Sequence, residues 1–200
     1  MRVIGIDDSP FNKFKKGKVL VVGTVFRGGL FLDGVLSTKV DIDGDDSTKK
    51  ITDMITKCKF KPQLQCIFLD GIAVAGFNVI DIEELNKKTK LPVIVIIRRN
   101  PNIEKIKKTL VRIGKIHENQ RFSGHRKSKG FSSENKIKLI EKAGSVVPVG
   151  EIYIQLAGLS IEKAKEILKI VCTRSLIPEP IRIANLIASG ITFGESRGKA

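Results

Sequence analysis

From Lys18 to Ile42 the chain reads KVLVVGTVFRGGLFLDGVLSTKVDI, two long β-branched runs hinged on Gly28 and Gly29. Glycines at such a hinge accept the positive φ angles of a two-residue hairpin turn, so the runs form an antiparallel pair. With the strand-like RVIGIDDSP before them, they make three strands in succession. The hydrophobic period then lengthens. In DDSTKKITDMITKC, Ile51, Met54, Ile55 and Cys58 recur at helical spacing behind an Asp/Ser cap. QCIFLDG reads as a short buried strand, NVIDIEELNKKT as a helix opened by Asn78, and LPVIVIIRR as a strand apolar on both faces. NIEKIKKTL is helical, whereas residues 112–133 lose both periods and gather Lys115, Arg121, Arg126, Lys127 and Lys129, the signature of a long loop. ENKIKLIEKAG is a helix ending on Gly144, EIYIQLA a last strand, SIEKAKEILKIVCTR a helix begun by Ser160, and IPEPIRIANLIASG a final helix. The order predicts an α/β chain, one domain over residues 1–200, with a mixed sheet and C-terminal helices.

Charge narrows the partner. The chain carries 36 Lys and Arg against 21 Asp and Glu, a net charge of +15, which suits a polyanion such as nucleic acid better than a neutral metabolite. Cys58, Cys66 and Cys172 have no CxxC spacing, so neither a disulfide framework nor a zinc site is indicated and a reducing cytoplasm fits them. No apolar run reaches the ~18 residues of a membrane span, and the chain enters a strand at once, which predicts no membrane association and no signal peptide.

Against this basic background the acids stand out. Asp7 ends the first strand and Asp70 the fourth, and neighbouring parallel strands bring such ends to one edge of a sheet. Between them KVDIDGDDS offers Asp41, Asp43, Asp45 and Asp46. Strand alternation sets Asp41 and Asp43 on one face, and either Asp45 or Asp46 is placed to cap the following helix. Asp43 is the preferred second ligand and Asp46 its competitor. Asp8, next to Ser9-Pro10, reads as a turn residue. Converging carboxylates repel unless a cation sits among them, and oxygen-only donors favour Mg2+ or Mn2+. FLDG occurs twice; the first copy lies within the hairpin with no helix after it, so Asp33 reads as an exposed residue beside a bulge. By analogy of element order, the layout is that of the ribonuclease H-like nucleases.

Four segments, in order, resemble the endonuclease V group and, more closely, the archaeal endonuclease dU family, named for cleavage at deoxyuridine. IGIDDS resembles the strand bearing that group's first metal-binding Asp, which falls on Asp7, and IFLDGIAVAGFNVID the strand bearing another, which falls on Asp70. LPVIVIIRR resembles the strand whose end carries a catalytic or phosphate-contacting Lys; Arg98 stands there. SLIPEPIRIANLIA resembles the group's C-terminal proline-glutamate-proline helix and includes Arg182. There are departures too. A cluster of Asp stands where endonuclease V has Glu, and Ile72 and Leu159 stand where it has His, so recognition of inosine does not carry over. The tyrosine wedge of that group has no match; the single Tyr, Tyr153, falls in a strand.

The resemblance implies a Mg2+-dependent, or Mn2+-dependent, DNA-repair endonuclease with no organic cofactor, acting on DNA, or alternatively RNA, at a deaminated base such as deoxyuridine. By that resemblance Asp7 and Asp70 hold the metal and Arg98 contacts phosphate; the second ligand does not carry over, and Asp43 is preferred for it on its own position, with Asp46 as the alternative. Gly71, Gly76 and Phe77 line the pocket of an extruded base. Lys13, Lys15, Lys16, Arg98, Arg99, Arg121, Arg126, Lys127 and Arg182 contact nucleic acid. Phe11 and Phe14, interleaved with lysines, stack on bases or anchor their loop. His117 and His125 read as solvated loop residues. The competing expectation is a non-catalytic nucleic-acid-binding protein of the same fold.

Overall fold

Alternating side chains on the first three strands decide where everything else packs. β1 (Arg2–Asp8), β2 (Lys18–Arg27) and β3 (Phe31–Asp41) form an antiparallel meander in which Arg2 pairs with Arg27 and Lys18 with Asp41. The computed structural model describes residues 1–13, 15–122 and 132–196, with the backbone alone over 115–122. After the meander come α1 (Ser47–Thr56), β4 (Leu64–Asp70), the short strands β5 (Ala73–Val74) and β6 (Asn78–Val79), α2 (Ile82–Thr89) and β7 (Val93–Ile97). Then follow α3 (Ile103–Phe122), α4 (Ser133–Lys142), β8 (Val147–Val149), β9 (Ile152–Ala157), α5 (Ile161–Val171) and α6 (Glu179–Phe193). The seven-stranded sheet has the order β3-β2-β1-β4-β7-β9-β8. β1, β4 and β7 are parallel to one another, and the remaining pairs are antiparallel.

Both faces of the sheet are covered, as the apolar strands require. Ile4 and Ile6 of β1 and Ile67 and Leu69 of β4 point to one side and pack with Ile51, Ile55, Ile82 and Leu85 of α1 and α2. Val3, Cys66, Phe68 and Ile94 point to the other side, against Ala164, Leu168 and Ile181 of α5 and α6. A smaller cluster of Val79, Leu110 and Ile140 forms where α3 and α4 cover the β5–β6 hairpin. Among the described residues no helix is long and apolar enough to cross a membrane.

The structure corrects five expectations. Arg27 pairs with Phe31, so the hairpin loop has three residues rather than two, and a register shift between Val25 and Phe26 marks the bulge at Asp33. Asp33 itself is not exposed. Its side chain is only 6% accessible because Arg2 and Arg27 both bind it, which neutralises it within the meander. Asn78 does not open a helix: Asp81 caps α2 by accepting from Glu84 N at 2.9 Å, and Asn78 sits in β6. The loop expected from residue 112 is helix through Phe122, because the apolar seam Ile103, Ile106, Leu110 runs on to the buried Gly114 and outweighs the basic residues around it. β8 was not expected at all; three residues with Pro148 at a sheet edge give too short a signal.

α6 lies unusually close to β1. A Cβ on Gly5 would stand 2.3 Å from the Pro180 carbonyl carbon, and Thr24 Oγ1 donates to Pro180 O at 2.6 Å. The absent side chain at Gly5 therefore sets the depth at which the C-terminal helix docks. Gly5→Ala is expected to destabilise the protein by about 3 kcal/mol or more, since the added carbon meets backbone that cannot swing away. Urea denaturation monitored by circular dichroism checks this, and an unchanged midpoint would contradict it.

Candidate functional site

Val3, Gly5 and Asp7 share the α6 face of β1, and Cys66, Phe68 and Asp70 share the same face of β4. The parallel register pairs Ile6 with Leu69, so one further step sets Asp7 beside Asp70 at the C-terminal ends of two parallel strands. Asp7 is 5% exposed. Its Oδ1 accepts from Asp8 N at 2.8 Å and its Oδ2 from Asn185 Nδ2 of α6 at 3.0 Å. Burial, then the charges of Asp70 and Asp8, push the Asp7 carboxyl well above the ordinary carboxylate range despite those two hydrogen bonds. Asp8 points to the opposite face, where its Oδ2 accepts from Ala75 N at 2.9 Å. Burial is also the main cause that lifts Asp8, to about 6. Asp70 is more open, and Arg98, just beyond β7, places Nη2 at 3.1 Å from its Oδ2.

The acids between β3 and α1 do not join this pair. Asp43 takes a left-handed conformation (φ 52°), donates its N–H to Ala75 O at 2.9 Å and accepts from Phe77 N at 2.8 Å. Asp46 stands at the N-cap position of α1 without capping it; its Oδ1 accepts from Asp41 N at 3.0 Å and from Asn78 Nδ2 at 2.7 Å. Asn78, from across the loop, supplies the oxygen that accepts from Ser47 N at 3.1 Å. Asp41 pairs with Lys18 at 3.0 Å and Asp45 with Lys136 at 2.7 Å. Each carboxylate is occupied locally; Asp43 and Asp46 lock the β3–α1 connection to the β5–β6 hairpin, and Asp45 ties it to α4. Among the described residues no group of three or more His, Cys, Asp or Glu side chains is gathered as a metal cage.

The residues expected to line a base pocket divide. Gly71 (φ 80°) directly follows Asp70, and a Cβ there would meet nothing nearer than Ala73 O at 4.0 Å. Gly76 (φ 86°) backs onto Asp43, whose Oδ1 would lie 2.5 Å from an added Cβ, so this glycine serves the turn and faces no cavity. Phe77 is half-buried against the cluster of Val79, Leu110 and Ile140. Phe11 packs into the core and lies beside Gly76, the loop-anchor alternative.

Of the basic candidates, Lys13, Lys15 and Lys16 are exposed on the β1–β2 connection that leaves the acid edge, and Arg99 is exposed beside Arg98. Arg182 is elsewhere: its Nη2 binds Glu179 at 2.7 Å and it lines a hollow with Gly29, Leu30 and Leu32 at the hairpin-turn end, away from Asp7. Arg121 and His117 fall on α3 with side chains outside the described part, and Phe14, His125, Arg126, Lys127 and Lys129 lie outside the described residues. Three contributors were missed. Asn185 signalled itself only as a lone amide in the apolar IRIANLIA, and Asn78 was hidden by its helix-start reading. Lys136, 1% exposed and donating to Gly44 O as well as Asp45, occupies the position four before Ile140 on the inward side of α4.

A family model described as Endonuclease dU matches residues 1–192. A UPF0215 protein of Methanothermobacter thermautotrophicus is 46% identical over 203 residues, spanning 100% of this chain and 92% of the relative. Another, from Archaeoglobus fulgidus, is 41% identical over 199 residues, spanning 100% and 98%. The crystal structure of a protein of unknown function from Archaeoglobus fulgidus superposes with a TM-score of 0.81 at 37% identity, over 95% of this chain and 97% of that one. Endonuclease V of Ciona intestinalis, solved with a 24mer DNA containing an inosine followed by a ribo-adenosine, gives a TM-score of 0.56 at 19% identity, over 94% and 84%. At that identity the likeness is one of fold.

The raised carboxyls make a pH prediction for the protein in chelator. With Asp8 at about 6 when folded against an ordinary value of 3.8, the folded state holds the extra proton between these pH values. Unfolding free energy contributed by this group is therefore greatest below its ordinary value and falls as pH rises towards 6. Asp8→Asn keeps an oxygen for Ala75 N and should remove about 1–3 kcal/mol of that fall. Denaturation midpoints of both proteins from pH 4 to pH 7 measure it; parallel profiles would contradict the assignment.

Proposed function

The chain belongs to the endonuclease dU family, and on that premise we propose that it is a divalent-metal-dependent endonuclease that cleaves DNA at deoxyuridine in DNA repair. The observation that carries this reading is the buried Asp7 beside Asp70 at the C-terminal edge of two parallel strands. The order of the first five strands across the sheet, β3-β2-β1-β4-β7, supports a ribonuclease H-like fold. An oxygen-only pair in which burial and the neighbouring charges of Asp70 and Asp8 force the Asp7 carboxyl upward is what a hard cation relieves, so the residues fit Mg2+ or Mn2+. When bound there, the cation supplies Lewis acidity for water and for a phosphodiester oxygen.

The chain's own residues then have separate tasks. Asn185 Nδ2 and the Asp8 N–H each hold one oxygen of Asp7 and so fix the plane of its carboxylate. Asp70 is the second ligand. Arg98, paired with Asp70, has its guanidinium beside the acid pair and takes the phosphate of the strand to be cut. Gly71, open at the end of β4, lets backbone approach an extruded base. Asp43 and Asp46 act as anchors of the neighbouring loops rather than ligands. A second reading has one observation in its favour: the Arg98–Asp70 ion pair already compensates one acid, as in a protein that binds nucleic acid without cutting it.

A 30-base-pair duplex with one deoxyuridine, end-labelled and incubated with MgCl2 or MnCl2, separates the two. The expected result is a nick near the uracil that EDTA abolishes, with hypoxanthine and undamaged duplexes cut more slowly. Asp7→Asn and Asp70→Asn should lose the nick, and Asn185→Ala should slow it by about 10–100-fold. Binding of the duplex with no metal-dependent nick under any of these conditions would sink the enzyme and leave the binding protein.

A further inference from the structure

α3 carries a basic face that the acid pair does not explain. Ile103, Ile106 and Leu110 pack against the cluster that covers the β5–β6 hairpin, and the buried Gly114 extends that seam. At 100° per residue, Lys105, Lys108 and Arg112 fall on the opposite side of the helix, and all three are exposed. Lys107, on the flank, pairs with Glu141 at 2.8 Å and so ties α3 to α4. Among the described residues no ion pair engages Lys105, Lys108 or Arg112.

An ordinary solvated helix face mixes signs, because opposite charges three or four residues apart stabilise it and like charges there destabilise it. This face has like charges at just those spacings and no acid between them; the exposed Glu104, four before Lys108, stands at its edge and pairs with Lys107 at 3.8 Å. Its position adds the second argument. α3 starts five residues after Arg98, which holds Asp70, so the chain enters this helix directly from the acid edge. From Lys105 to Arg112 it runs about 10 Å, the rise of about three nucleotides of one strand at ~3.4 Å each.

We propose that the outer face of α3, through Lys105, Lys108 and Arg112, is a phosphate track for the backbone of duplex DNA leading away from the Asp7–Asp70 edge. This rests on the nuclease reading for the identity of the polyanion, not for the track itself. Phosphate contacts position a protein without reading sequence, so the track contributes equally to damaged and undamaged duplex.

The test is binding of an undamaged, fluorescein-labelled 20-base-pair duplex in EDTA, followed by anisotropy from 50 to 300 mM KCl. Replacing all three residues (Lys105→Gln, Lys108→Gln, Arg112→Gln) should flatten the slope of log K against log salt by about 2–3, with the melting temperature unchanged or higher. A control with the same charge change on α5, Lys163→Gln, Lys165→Gln and Lys169→Gln, should keep the native slope. Equal slopes for the α3 variant and the native protein overturn the track, as does an equal loss in the α5 control. Chelator and intact bases keep cleavage out of the assay. A protein that never nicks uracil but shows the α3-dependent slope loses the enzyme alone, and one that nicks uracil with an unaltered slope loses the track alone.

Discussion

The missing side chain at Gly5 lets the first turn of α6 rest on the central strand of the sheet, with Pro180 where a Cβ would otherwise stand. One turn and a half further along the helix, Asn185 reaches Asp7. The same docking covers the α6 face of β1 and takes Asp7 almost wholly out of water. A carboxylate so placed, next to Asp70 and Asp8, is costly as an isolated anion, and its raised pKa is the measure of that cost. A cation is the simplest relief, which is why a packing feature of the fold and a chemical property of the site are one argument.

The acids after β3 show the opposite use of carboxylates. Asp43 and Asp46 lie close in sequence to where a second ligand was expected, yet each accepts backbone or amide N–H groups from the β5–β6 hairpin. Buried backbone donors need partners, and a turn with positive φ at Ala75 and Gly76 leaves several that no strand or helix satisfies. The Asp-rich connection supplies them. Lys136, buried on α4, fixes the same connection from the far side through Asp45 and Gly44 O.

Much of this was legible from local pattern. Strand alternation and the parallel order of β1 and β4 were enough to bring Asp7 to Asp70, and the hairpin, the apolar β7 and the caps at Ser160 and Gly144 followed from residue types alone. What escaped depends on contacts distant in sequence. Whether Asp43 faces a metal or Phe77 N is decided by a loop 34 residues away, and Asn185 meets Asp7 across 178 residues. The second half of α3 escaped for another reason: the basic residues from 112 onward suggested a loop, while the seam of Ile103, Ile106 and Leu110 carried the helical period on. Asp33 was misjudged because its two arginine partners come from different strands.

The proposed metal dependence turns on which acids would hold a cation. Anomalous diffraction from crystals soaked in MnCl2 locates it without reference to activity. The expected result is a manganese peak within bonding distance of the Asp7 and Asp70 carboxylates, with none at Asp43 or Asp46. A peak held by Asp43 or Asp46, or none at the Asp7–Asp70 pair in fully soaked crystals, would contradict it.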